Sequence, residues 1–220
     1  MWKIGSRRIT TVAVVDDDAG SRESLGWLLS DAGLEMHELT GPLSTVDKES
    51  ADLPRAAHAM ICDHNLSARA NYATFAGAEL VASVTRHGFP AVLCTRFAAT
   101  DILIIRPLLP YIPVLLPPNE LREPEELHDA LVNCLAELAG DIPPERKPWR
   151  TQIVVEQVDD TDRTFCVSLP AWEIDQVVRL RLDDVPADLR GAIKVGFRAY
   201  ATANIGADRT DRLYIKEWIR

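Results

Sequence analysis

Between Lys48 and Lys147 the chain contains no lysine. Cysteine is also sparse, with four in 220 residues, at 62, 94, 134 and 166, and no Cys-x-x-Cys spacing. This excludes the usual zinc and redox motifs and fits small core hydrophobes in a reducing compartment. His37, His58, His87 and His128 are scattered and share no ligand spacing. No apolar run approaches the roughly 18 residues of a membrane span. Lys3, Arg7 and Arg8 are followed by no apolar h-region, so no signal peptide is expected and the location expected is cytoplasmic. Excess positive charge is missing as well. Residues 1–150 carry 14 Lys/Arg against 21 Asp/Glu, net −7, and residues 151–220 carry 10 against 12, net −2. With neither a basic footprint nor a helix-turn-helix pattern, nucleic acid is not an expected partner.

What is present begins with Val-Ala-Val-Val-Asp-Asp-Asp at 12–18. The run is Val-rich and too short for a helix, which predicts a strand buried on both faces. It ends in Asp16, Asp17 and Asp18. Carboxylates crowded at one strand end repel one another, and a hard cation such as Mg²⁺ relieves the repulsion. Ala59–Cys62 is a second apolar strand, ending in Asp63, and Ala91–Cys94 a third, ending in Thr95. In a parallel sheet these ends lie side by side, where open α/β sheets bind ligands. Helices are predicted over Ser21–Ala32, over a weakly marked 43–57 ending near Pro54, over Ala76–Arg86, over Asp101–Leu109 and over Pro124–Leu138. Further strands are predicted at Leu34–Leu39 and 111–116. Residues 1–8 read as a basic leader. Trp27, Trp172 and Trp218 read as packing residues, and His64 as a solvent-facing loop residue. Five strands alternating with five helices imply a parallel sheet covered on both faces.

On VVDDDAGSRESLGWLLSDAG, ICDHNLS and GFPAVLCTRFA, in that order, residues 9–140 resemble the receiver domain of two-component response regulators. The resemblance implies a flavodoxin-like (βα)5 fold with a five-stranded parallel sheet. It also implies Mg²⁺ held by Asp16, Asp17 and Asp63, a phosphoryl group accepted by Asp63, and Thr95 in contact with that group. The pattern breaks where the family carries Lys-Pro. Pro118 stands for the proline, Pro117 occupies the lysine's place, and Val114 that of the aromatic switch residue. Tyr111 and Phe97 are imperfect substitutes for that aromatic, and Arg96 is a nearby cation. The stretch from Leu66 to Gly77 is longer than the usual acceptor loop, with ARANYATFA inserted.

Residues 141–150 form a Pro-rich linker. Beyond it the period becomes two: Gln152–Val158, Arg163–Ser168, Val177–Leu182, Lys194–Ala203 and Leu213–Ile219 predict a small all-β domain, a barrel or a sandwich, over 151–220. Arg179 and Arg181, alternating with Leu180 and Leu182, read as a half-exposed strand. The expected function is non-enzymatic: an atypical response regulator in a bacterial phosphorelay, signalling to the β domain by protein contact. Its partners would be a histidine kinase or other signalling protein and a protein target of the β domain, with homodimerisation left open. The alternative is a pseudo-receiver, a phosphorylation-independent adaptor or subunit of a larger assembly. A Mg²⁺-dependent phosphatase is disfavoured, because such a site wants a cation in its pocket.

Overall fold

The computed structural model describes residues 1–67 and 71–219, with the side chain of Ile174 left out. The inserted residues 68–70 therefore lie outside the described residues. The chain divides into two compact units, 1–100 with 111–141, and 101–110 with 142–220.

The first unit opens with a small antiparallel hairpin, β1 (Trp2–Ile4) and β2 (Arg7–Ile9), turning at Gly5 with φ +57°. This replaces the expected basic leader. Ile9 is fully buried, and the Trp2 ring meets His128 edge-on at 5.3 Å. Strands β3 (Thr11–Val15), β4 (Glu35–Leu39), β5 (Ala59–Cys62), β6 (Ala91–Cys94) and β7 (Val114–Leu116) pair in parallel in the order β4-β3-β5-β6-β7. This is the 2-1-3-4-5 order of flavodoxin-like sheets. The three central strands are apolar because both their faces are covered: every residue of β5 and β6, and Val12–Val15 in β3, is buried.

Helix α1 (Ala19–Asp31) starts where Asp18 caps it, its carboxylate accepting from the Ser21 N–H at 2.9 Å. Trp27 on this helix is 66% exposed, so it is not the packing residue expected. Helix α2 (Val46–Ala56) is capped by Thr45 and runs on past Pro54, because a proline in the last turn removes only one ladder bond. Helix α3 (Gly77–Arg86) buries Leu80, Val81 and Val84. Helix α5 (Pro124–Leu138) buries Leu127, Leu131 and Cys134. The helix expected at 101–109 is a single turn, α4 (Ile102–Ile105), continuing as a 3-10 segment over Arg106–Tyr111 where Pro107 and Pro110 lack N–H donors. Residues 101–110 group with the second unit.

In the second unit β8 (Trp149–Asp159), β9 (Thr164–Leu169), β10 (Glu173–Arg181), β11 (Arg198–Ala203) and β12 (Ile215–Ile219) form one antiparallel sheet, ordered β10-β9-β8-β11-β12. A short helix, α6 (Ala187–Arg190), lies between β10 and β11. Among the described residues β10 does not pair with β12, and the all-β unit expected is present as this one antiparallel sheet. Strand β8 already begins at Trp149, inside the expected linker. Phe165, Val167, Val178 and Ala201 build its core. Arg179 and Arg181 point outward to Asp162 (3.0 Å) and Asp184 (2.7 Å), as a half-exposed strand requires.

Candidate functional site

Parallel register sets the site. Val15 pairs with Cys62, Cys62 with Leu93, and Cys94 with Leu116. The residues immediately after these strands therefore emerge along one edge of the sheet. Asp16, Asp17 and Asp63 each bring a carboxylate oxygen to that edge, all within 4.8 Å of one another. Thr95 follows β6, is 1% exposed, and its hydroxyl donates to the Asp63 carboxylate. The same Thr95 oxygen accepts from the Phe97 N–H at 3.2 Å, so its direction is fixed from both sides.

Backbone groups hold the acids. The Asp18 N–H donates to Asp16 Oδ1 at 2.7 Å and the Asn65 N–H to Asp63 Oδ2 at 3.1 Å. Burial pushes the Asp63 carboxyl above its ordinary value, opposed by hydrogen bonds from the His64 N–H, Thr95 and the Asn65 N–H. Asp16 is pushed up to about 6, first by burial and then by the charges of Asp63, Asp17 and Asp18, against the Asp18 N–H. Three hard oxygen donors in this space form a set suited to a divalent cation, whose charge would offset that mutual repulsion.

A pH prediction follows. The folded pKa of Asp16 lies above its ordinary 3.8, so the native state binds the extra proton. Asp16 then contributes stability below pH ~4 that is lost as pH rises through about 6. After discounting for solvent screening of this half-buried group, the loss is about 1–2 kcal/mol. Thermal unfolding of the wild type should weaken between pH 5 and 7.5, Asp16→Asn should flatten the trend, and Mg²⁺ should restore stability mainly at the higher pH. Parallel pH curves for wild type and Asp16→Asn would contradict the assignment.

Sequence reasoning missed two residues around the acids and misplaced a third. Arg22, 9% exposed, donates from Nη1 to the Asp16 carbonyl at 2.7 Å and from Nε to Glu38 Oε1 at 2.7 Å. A cation in the first turn of a helix, against the dipole, was the available signal. Tyr72, from the inserted stretch, donates to the Leu39 carbonyl at 2.6 Å and lies 5.9 Å from the Arg22 guanidinium. His64, marked in the sequence by its place beside Asp63, is buried at 3% exposure, against the solvent-facing position expected. Beside the acids opens a cavity of about 770 Å³, also lined by Leu25, Trp27, Phe97, Leu121 and the exposed Arg96 and Arg122. Tyr111 turns elsewhere, its ring under the Arg86 guanidinium at 3.8 Å.

No family model and no curated protein matches the chain. Several solved structures are similar to it. A response regulator receiver domain protein from Clostridium thermocellum matches at 12% identity and TM-score 0.43, over 59% of this chain and 96% of that one. A pilus assembly-related protein from Burkholderia pseudomallei matches at 18% identity and TM-score 0.42, over 65% and 96%. The RcsB response regulator of Salmonella typhimurium matches at 19% identity and TM-score 0.37, over 62% of this chain and 63% of its own. Response regulator receivers are thus among its structural neighbours. The flavodoxin-like fold of the first unit is established by its own strand order.

Proposed function

We propose that the first unit is a phosphoryl-accepting receiver in a bacterial signalling pathway and that the second unit carries its output to a protein partner. The observation carrying this reading is the meeting of three carboxylates from the ends of two neighbouring strands, with Thr95 bonded to Asp63. Asp16, Asp17 and Asp63 would hold Mg²⁺, which would supply charge neutralisation for phosphoryl transfer. Asp63 would act as nucleophile. One of its carboxylate oxygens attacks phosphorus, and the P–N bond of a phosphohistidine donor breaks with the electron pair leaving on the imidazole. Thr95, already a donor to this carboxylate, would turn its hydroxyl to the new phosphoryl oxygens. The chain path supports transmission to the second unit. Six residues beyond Thr95 the backbone enters the segment 101–110, which folds with β8–β12 before returning to β7. The reading is of a signalling protein rather than an enzyme, working in the cytoplasm with a histidine kinase as donor.

Pro117 in the lysine's place favours a second reading, in which the same fold is a phosphorylation-independent docking subunit. Incubation with Mg²⁺ and acetyl phosphate, followed by intact mass, separates the two. The first reading expects a single phosphoryl adduct, absent from Asp63→Asn. An unlabelled wild type would favour the second. Adducts persisting in Asp63→Asn would remove Asp63 as acceptor.

A further inference from the structure

We propose that the second unit binds a small carboxylate with an apolar body, anchored by Arg106. This site is separate from the Asp63 reading and stands whether or not that reading holds. A cavity of about 500 Å³ in this unit is lined by Pro107, Leu180, Val185, Ile215 and Trp218 on one side of its chemistry and by charged side chains, Arg106 among them, on the other. That size suits a small organic ligand, and the apolar part of the wall can take an apolar body.

Arg106 is the unusual member. It is 5% exposed, a rare degree of burial for a guanidinium without a carboxylate bonded to it. Its Nη1 donates to the carbonyls of Thr210 (2.8 Å) and Leu213, and its Nε has no hydrogen-bond partner among the described residues. The acid acting on it electrostatically, Asp211, is already gripped by Arg209 at 2.9 and 2.6 Å. Burial accordingly lowers the guanidinium pKa to about 10, with Asp211 only partly opposing.

The acids around the cavity are engaged elsewhere. Asp183 pairs with Arg163 at 2.8 Å, Asp184 with Arg181 at 2.7 Å, and Glu217 accepts from Thr202 at 2.9 Å and meets Lys216 at 3.4 Å. A buried donor left unpaired is costly, and the cost is greater on a charged group. The edge of a guanidinium that bears Nε is one that a carboxylate engages through two parallel N–H···O bonds. Arg190 and Lys216 also line the cavity, but Arg190 is spent on the Val185 and Asp183 carbonyls at 2.8 Å and Lys216 meets Glu217, which leaves Arg106 as the cation for a monoanion. The apolar wall and the Trp218 ring give the ligand's body its contact.

The test uses the full chain. The Trp218 indole N–H resonance, assigned among five tryptophans with Trp218→Phe, is followed during titration with phenylacetate, with its neutral isostere phenylacetamide, and with phenyl phosphate. Phenylacetate should shift the resonance saturably at millimolar concentration, with phenylacetamide weaker by about tenfold or more. Arg106→Met should remove that preference for the acid. Three results would overturn the proposal: no saturable shift with phenylacetate, equal binding of acid and amide, or acid binding unchanged in Arg106→Met. Tighter binding of phenyl phosphate would overturn the carboxylate assignment. Should Arg106→Met fail to fold, the acid–amide comparison on the wild type decides.

Discussion

Pro117→Lys is expected to speed phosphoryl transfer to Asp63 by about 10²–10³-fold, the range in which a single preorganised charge contact changes catalysis. The expectation rests on where residue 117 stands. Cys94 pairs with Leu116 and the Thr95 N–H donates to the Leu116 carbonyl at 2.8 Å, so residue 117 follows β7 as Thr95 follows β6, at the same edge of the sheet. Its backbone, φ −75° and ψ 154°, is an extended conformation that lysine adopts readily and that the following proline favours. The cations now near the acids do not replace it. Arg22 is committed to the Asp16 carbonyl and Glu38, and Arg96 and Arg122 stand exposed on the cavity wall. Proline offers neither charge nor donor. The measurement is the rate of adduct formation with acetyl phosphate and Mg²⁺, wild type against variant. Labelling that appears only in Pro117→Lys would establish the wild type as a degenerate receiver. An unchanged rate with Mg²⁺ binding intact would show that lysine's place is not what limits transfer.

The parallel sheet was legible because its strands leave little choice. Val12–Val15, Ala59–Cys62 and Ala91–Cys94 are short, apolar on both faces and each followed by an oxygen-bearing side chain, a pattern that only a doubly covered sheet satisfies. The acids at 16, 17 and 63 meet for the same reason: register carries them to one edge. What escaped depends on contacts distant in sequence. The β1–β2 hairpin has only three residues in each strand, too few for alternation to mark it, and is held partly through Ile9 and the Trp2–His128 contact. Trp27 follows the helical apolar stripe of Leu25 and Leu28 yet faces the open cavity. Residues 101–110 look like a receiver helix by composition, but Arg106 finds its carbonyl partners at Thr210 and Leu213, more than a hundred positions later. Strand alternation in 149–219 shows that a sheet forms, not whether it closes, since closure depends on tilt and stagger that side-chain pattern does not encode.

Gly77→Ala should destabilise the first unit by about 3 kcal/mol or more, at or beyond the upper end of ordinary overpacking. Gly77 begins α3 directly behind Asp63, its N–H donating to the His64 carbonyl at 2.8 Å. A methyl group there would fall inside van der Waals contact of the Asp63 carbonyl oxygen and 2.7 Å from Cys62 Sγ. Neither neighbour can give way cheaply. One is backbone of the site itself, and the other is a fully buried side chain in the central strand. The requirement for glycine here is close approach, not φ, because Gly77 is absent from the positive-φ glycines. Gly191→Ala is the matched control: it also sits at helical φ, −68°, with nothing within 4 Å of an added methyl, and should change stability by no more than about 0.5 kcal/mol. Urea unfolding of the two variants measures the difference. If the backbone yields instead of the fold, Asp63 must move away from Asp16 and Asp17, and Mg²⁺ affinity falls in its place. Wild-type stability together with wild-type Mg²⁺ affinity in Gly77→Ala would mean that α3 does not press against Asp63, and the rigidity assigned to that residue would be lost with it.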